Sequence, residues 1–91
     1  SLPGYIASFD RINLWIREPQ NGRIVTALTN SSFDPAKNLV LMLRTDNKEI
    51  KVYDMDCKET TIRSSETDGH YRKFIIPYID PWQMRLVVSE K

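Results

Sequence analysis

From Arg11 to Arg17 the chain alternates strictly, with Ile12, Leu14 and Ile16 on one side of an extended backbone and Arg11, Asn13, Trp15 and Arg17 on the other. A period of two predicts a half-buried β-strand, here running from about Asp10 to Arg17. In the EPQNGR that follows, Pro19 and Asn21-Gly22 supply a tight reversal, because Asn-Gly accepts the positive φ such a turn needs. RIVTALTN, 23–30, then returns as the second arm of a hairpin. LVLMLRT loses polar alternation and predicts a strand buried on both faces or nearly so. IKVYDM sets Ile50 and Val52 inward against Lys51 and Tyr53 outward. The threonine-rich ETTIRS reads as an edge strand and SSETDG as a polar turn. HYRKFIIP and WQMRLVVS close the chain. In the latter, Trp82, Met84, Leu86 and Val88 share one face against Gln83, Arg85 and Val87, and that face is expected in the core.

No segment holds the three-and-four spacing of an amphipathic helix for three turns. Asp34 before Pro35 in SSFDPAKN starts at most one helical turn. About seven strands with turn signals every eight to twelve residues predict an all-β, immunoglobulin- or fibronectin-like two-sheet sandwich. A barrel of similar strand count shares that periodicity. Residues 10–91 are expected to form the single domain, with 1–9 a leading segment.

Composition removes function classes without altering that architecture. Ninety-one residues suffice for one core but leave little room for an active-site cleft. Thirteen basic and twelve acidic side chains are spread along the chain for a net charge of +1, so no field steers it to nucleic acid. The longest apolar run, LVLML, is strand-sized and no membrane partner is expected. Cys57 is the single cysteine and excludes an intrachain disulfide. The opening SLPGY, without methionine, reads as an excised piece of a longer protein or as a tag remnant.

Residues able to carry chemistry are few. Cys57 and His70 are the one available nucleophilic couple, and His70 after Gly69 reads instead as the start of a strand. Asp54, Asp56 and Glu59 approach a calcium-loop spacing but lack its glycine and further carboxylates, which favours a solvated turn. Glycine-rich phosphate loops are absent, and NSS at 30–32 matches only the short glycosylation pattern. No catalytic residue, cofactor or metal is expected. Aromatic rings remain: Trp15, Tyr53, Tyr71, Tyr78 and Trp82. An exposed ring flanked by polar side chains can stack on a sugar, so Asn13, Trp15, Arg17 and Tyr53 are the candidate ligand or interdomain contacts. The competing expectation for Trp15 is packing against a neighbouring domain or under an arginine stem.

Two stretches, IVTALTNSS with NLVLMLRTDNKEIKVYDM, and the closing GHYRKFIIPYIDPWQMRLVVSEK, resemble the C-terminal β-sandwich appended to many glycoside hydrolases. The likeness covers roughly the last two-thirds of the chain and includes the link through Pro77, Ile79, Pro81 and Trp82. It implies a non-catalytic accessory domain of a bacterial, secreted or periplasmic enzyme, with the parent's catalytic domain as partner and polysaccharide as a further one. No catalytic residue carries over. Pro77 and Pro81 lack ladder donors, so the chain is expected to leave one sheet there and cross to the other. An independent carbohydrate-binding module, with Tyr53 coplanar beside Trp15, and an immunoglobulin-like adhesive domain are the other readings.

Overall fold

Alternating runs bury one edge each, and two such surfaces face one another. The structure, a computed structural model, describes residues 3–8, 11–17 and 23–90. Nine strands are present among the described residues: β1 Gly4–Ile6, β2 Ile12–Arg17, β3 Ile24–Asn30, β4 Ala36–Leu43, β5 Glu49–Tyr53, β6 Glu59–Arg63, β7 Glu66–Asp68, β8 Tyr71–Ile79 and β9 Met84–Ser89. They form a four-stranded sheet in the order β1-β4-β8-β7 and a five-stranded sheet in the order β2-β3-β9-β5-β6, with every pairing antiparallel. The fold is an all-β two-sheet sandwich.

The predicted hairpin of β2 and β3 is present, with Trp15 opposite Ala27. Its turn, read from EPQNGR, lies outside the described residues apart from Arg23, as does Asp10. No helical turn follows Asp34. Two strands exceed the expected seven. Gly4–Ile6, in the leading segment, pairs with β4, and Glu66–Asp68, expected as turn, pairs with the first residues of β8. β7 is exposed throughout, so it carries no hydrophobic signal of its own and exists by pairing with a longer neighbour.

The core lies between the sheets. Leu39, Leu41, Leu43, Phe74, Ile76 and Ile79 from one meet Ile12, Ile24, Leu28, Ile50, Val52 and Val87 from the other. β4 is close to the doubly buried strand expected, with Met42 buried and Val40 half-buried on its second face. Gly4 sits where β1 crosses close beneath β2: a Cβ there would stand 2.7 Å from Leu43 Cδ2 and 2.9 Å from Ile16 Cδ1.

The prolines act differently from one another. Pro77 does not end its strand. It lies inside β8, where the ladder skips one step opposite Asn38, whose φ of 52° puts it in the left-handed region. Proline's missing donor and the bent asparagine thus occupy one paired gap, and β8 continues to Ile79. The crossing to the other sheet occurs only at 80–83, around Pro81.

The expectation for the last strand is overturned. Trp82, Met84 and Leu86 do not enter the core: their exposures are 59%, 42% and 36%. Of the expected set only Val88 is buried, at 8% exposure, while Val87 of the opposite set is fully buried in the core, held between Thr26 of β3 and Val52 of β5. Both alternating sets in β9 contain apolar residues, so periodicity defines two faces without saying which turns inward.

Candidate functional site

Antiparallel register aligns side chains in rows across a sheet face. On the outer face of the five-stranded sheet one row reads Trp15, Ala27, Leu86, Tyr53, Glu59. The row on one side holds Asn13, Thr29 and Met84, and the row on the other holds Arg17, Val25, Val88 and Lys51. A strip of Val25, Ala27, Met84 and Leu86 therefore runs between the two aromatic rings.

Trp15 is 62% exposed, and the Arg17 guanidinium carbon lies 5.9 Å from its ring centroid. That is a cation–π contact at an exposed site, worth about 0.5–1 kcal/mol. Asn13 is occupied elsewhere, its amide donating to the Ser31 hydroxyl. Tyr53 shares Trp15's row, but three strand spacings of about 4.8 Å separate them, which puts their backbones about 14 Å apart. The tyrosine hydroxyl donates to Glu59 Oε1 at 2.8 Å, and this bond to a carboxylate is the main reason its pKa is raised. Asn13, Trp15 and Arg17 are thus brought together at the sheet edge, and Tyr53 belongs to the same face without touching them.

Sequence reading missed a second aromatic pair. Phe33 is 84% exposed, and its ring meets Trp82 edge to face with centroids 5.6 Å apart. Neither ring is buried by the domain, so another force must hold the two loops. It is the buried Asn30. Its amide donates to Asp34 O at 2.8 Å and to Ile79 O at 3.0 Å, while its Oδ1 accepts from the Ser32 N–H at 3.1 Å. The Asn30 backbone accepts from the Trp82 N–H at 2.8 Å and donates to Gln83 O at 3.0 Å. Those bonds hold Trp82 at a φ of 60°, a conformation that costs a bulky residue about 1–3 kcal/mol. The one legible signal was an aromatic residue, Phe33, inside an otherwise polar connection.

The remaining candidates fall apart chemically. Cys57 lies in the turn beyond Tyr53 and His70 in the turn before Tyr71, at opposite ends of the sandwich. Asp54 Oδ1 accepts from the N–H groups of Asp56 and Lys58, each at 2.9 Å. The bond from Lys58 leads the lowering of its pKa, so this carboxylate organises a turn. No group of three or more His, Cys, Asp or Glu side chains able to hold a metal ion occurs among the described residues. Comparison with known proteins adds no assignment: no family model, curated protein or solved structure matches the chain.

Proposed function

We propose that this chain is a non-catalytic accessory module that docks the outer face of its five-stranded sheet onto a neighbouring protein domain. The observation that carries the proposal is that Met84, Leu86 and Trp15 are exposed on one face, with the half-buried Ala27 between Trp15 and Leu86. Exposed apolar surface is unfavourable for a free domain and favourable for a covered one. Aromatic and methionine side chains are enriched at the centres of protein interfaces, where charges are depleted. Phe33 and Trp82 extend the exposed apolar surface beyond the start of β9.

The partner proposed is the catalytic domain of a larger glycoside hydrolase. That part rests on the resemblance carried by the segments from Ile24 to Ser32, from Asn38 to Met55 and from Gly69 to Lys91. Direct sugar binding at Trp15 is the second reading, favoured by its exposure beside Arg17. Against it, sugar recognition needs hydrogen-bonding groups around the stacking ring. The residues of Trp15's own row on the next two strands, Ala27 and Leu86, are aliphatic, Asn13 is bonded to Ser31, and the Tyr53 hydroxyl is bonded to Glu59.

Hydroxyl-radical footprinting, read residue by residue, separates the two. In the isolated chain Trp15, Met84 and Leu86 are expected to oxidise readily, and in the full-length parent all three are expected to be protected. Equal oxidation in both proteins rejects docking. Protection of Trp15 in the isolated chain by a polysaccharide, without protection of Met84 and Leu86 in the parent, establishes the sugar-binding reading instead.

A further inference from the structure

At the end of the sandwich opposite Phe33 and Trp82, a cavity of about 340 Å³ opens between the turn after β4 and the turn before β8, with Ile24 among its lining residues. Its defining feature is Arg72. This residue shares the inward alternation of Phe74 and Ile76 and pairs with the buried Leu43, so a cation occupies a position where the sandwich otherwise carries core residues. Arg72 is half-buried, and its guanidinium has no hydrogen-bond or ion-pair partner among the described residues.

The rest of the lining narrows what could pair with it. Arg44 adds a second guanidinium, and Asp46 contributes one carboxylate. A carboxylate in the wall repels a ligand of high negative charge while accepting hydrogen bonds from hydroxyl groups. Thr67 and Asn47 supply neutral hydrogen-bonding groups. The rim is built rather than loose: Asn47 donates to Ser89 Oγ at 3.0 Å, and its N–H donates to Thr45 Oγ1 at 3.1 Å. Tyr71 also lines the cavity and is steadied by an edge-on contact with Tyr5, ring centroids 5.1 Å apart. Its ring offers an apolar surface for ligand C–H groups.

We infer that this cavity binds a hydroxylated monocarboxylate, an acid sugar, with its carboxylate on the Arg72 guanidinium. A planar guanidinium matches a carboxylate in a two-pronged pair, and the neutral groups and Asp46 take the hydroxyls. The site is separate from the docking face and stands or falls without it. A free sugar acid and the terminal uronate of a polysaccharide present the same chemistry.

The test is a titration of the ¹⁵N-labelled chain, at constant ionic strength, with glucuronate, a glucuronate-terminated oligosaccharide, glucose, acetate and inorganic phosphate. Glucuronate is expected to give saturable shifts at the amides of Asn47, Gly69, His70, Tyr71 and Arg72, with glucose and acetate far weaker. Arg72→Gln is expected to lower the affinity at least about tenfold, the loss that follows from removing a charged hydrogen-bonding partner. Asp46→Asn is expected to admit phosphate more readily and provides the second variant if Arg72→Gln does not fold. Tighter binding of the oligosaccharide assigns the polymer end as ligand, and equal binding assigns the free acid. Absence of saturable shifts with glucuronate, an undiminished response in folded Arg72→Gln, or phosphate binding as tight as glucuronate in the unaltered chain overturns the inference.

Discussion

The Asn30 amide, on the last residue of β3, donates to the carbonyl of Ile79, on the last residue of β8, across 3.0 Å. One side chain thereby ties the two sheets together where the chain is about to cross between them. Because the same side chain bonds the loop that carries Phe33, the stability of the domain and the placement of its exposed rings share one residue.

Replacing Asn30 is therefore expected to act on both. Asn30→Ala removes the bonds to Asp34, Ile79 and Ser32 and leaves buried partners unpaired, a loss of about 3 kcal/mol. Urea unfolding checks the stability. Loss of the ring-current shift that Trp82 imposes on Phe33 checks the placement, and a variant that kept both would assign the loop geometry to the backbone bonds alone.

Thr26 makes the opposite case. Its hydroxyl is buried in the core row beside Val87 and has no hydrogen-bond partner among the described residues. Thr26→Val keeps the shape and removes the unpaired group, so stability is expected to rise by about 1 kcal/mol. A higher urea midpoint at unchanged slope is the expected reading. A lower midpoint would show that the hydroxyl has an internal water as partner.

Gly4 tests whether β1 is an integral strand. A methyl group there meets Leu43, Ile16 and the Met42 carbonyl, all within 2.9 Å, and one of those atoms is backbone. Gly4→Ala is expected to destabilise the domain by about 1–3 kcal/mol through overpacking. Thermal unfolding measures this, and an unchanged transition would mean that β1 can detach without affecting the rest.

Asp54 sets a pH dependence. Its folded pKa lies below the ordinary carboxylate value, so the ionised form stabilises the turn. The contribution is complete above the unfolded pKa and disappears as pH falls through the lowered folded one. The protection factors of the Asp56 and Lys58 amides, taken relative to the intrinsic exchange rate at each pH, are expected to fall over that acid range, and Asp54→Ala is expected to show low protection at every pH.

How far the sequence could be read is clearest in β2, β5 and β9. Ile12 and Ile50 face the core and Trp15 and Tyr53 face outward as alternation predicts, because each strand has one apolar set and one polar or mixed set. The alternation of β9 was equally legible, but its direction was not. With Leu86 and Met84 in one set and Val87 in the other, the choice fell to neighbouring strands, whose register places Val87 between Thr26 and Val52 and Leu86 between Ala27 and Tyr53. β7 was invisible for a related reason, since pairing with β8 rather than burial makes it a strand.

Local periodicity by itself determined an all-β domain and the outward position of Trp15, while the closure into two sheets rather than a barrel came with the strand pairing. Tertiary structure alone decided that Phe33 meets Trp82, that Arg72 faces into an open cavity and that Met84 and Leu86 reach solvent. Each of these depends on which segments become neighbours across a sheet or at its ends, and that choice is made by the packing of the whole core rather than by any residue's own pattern.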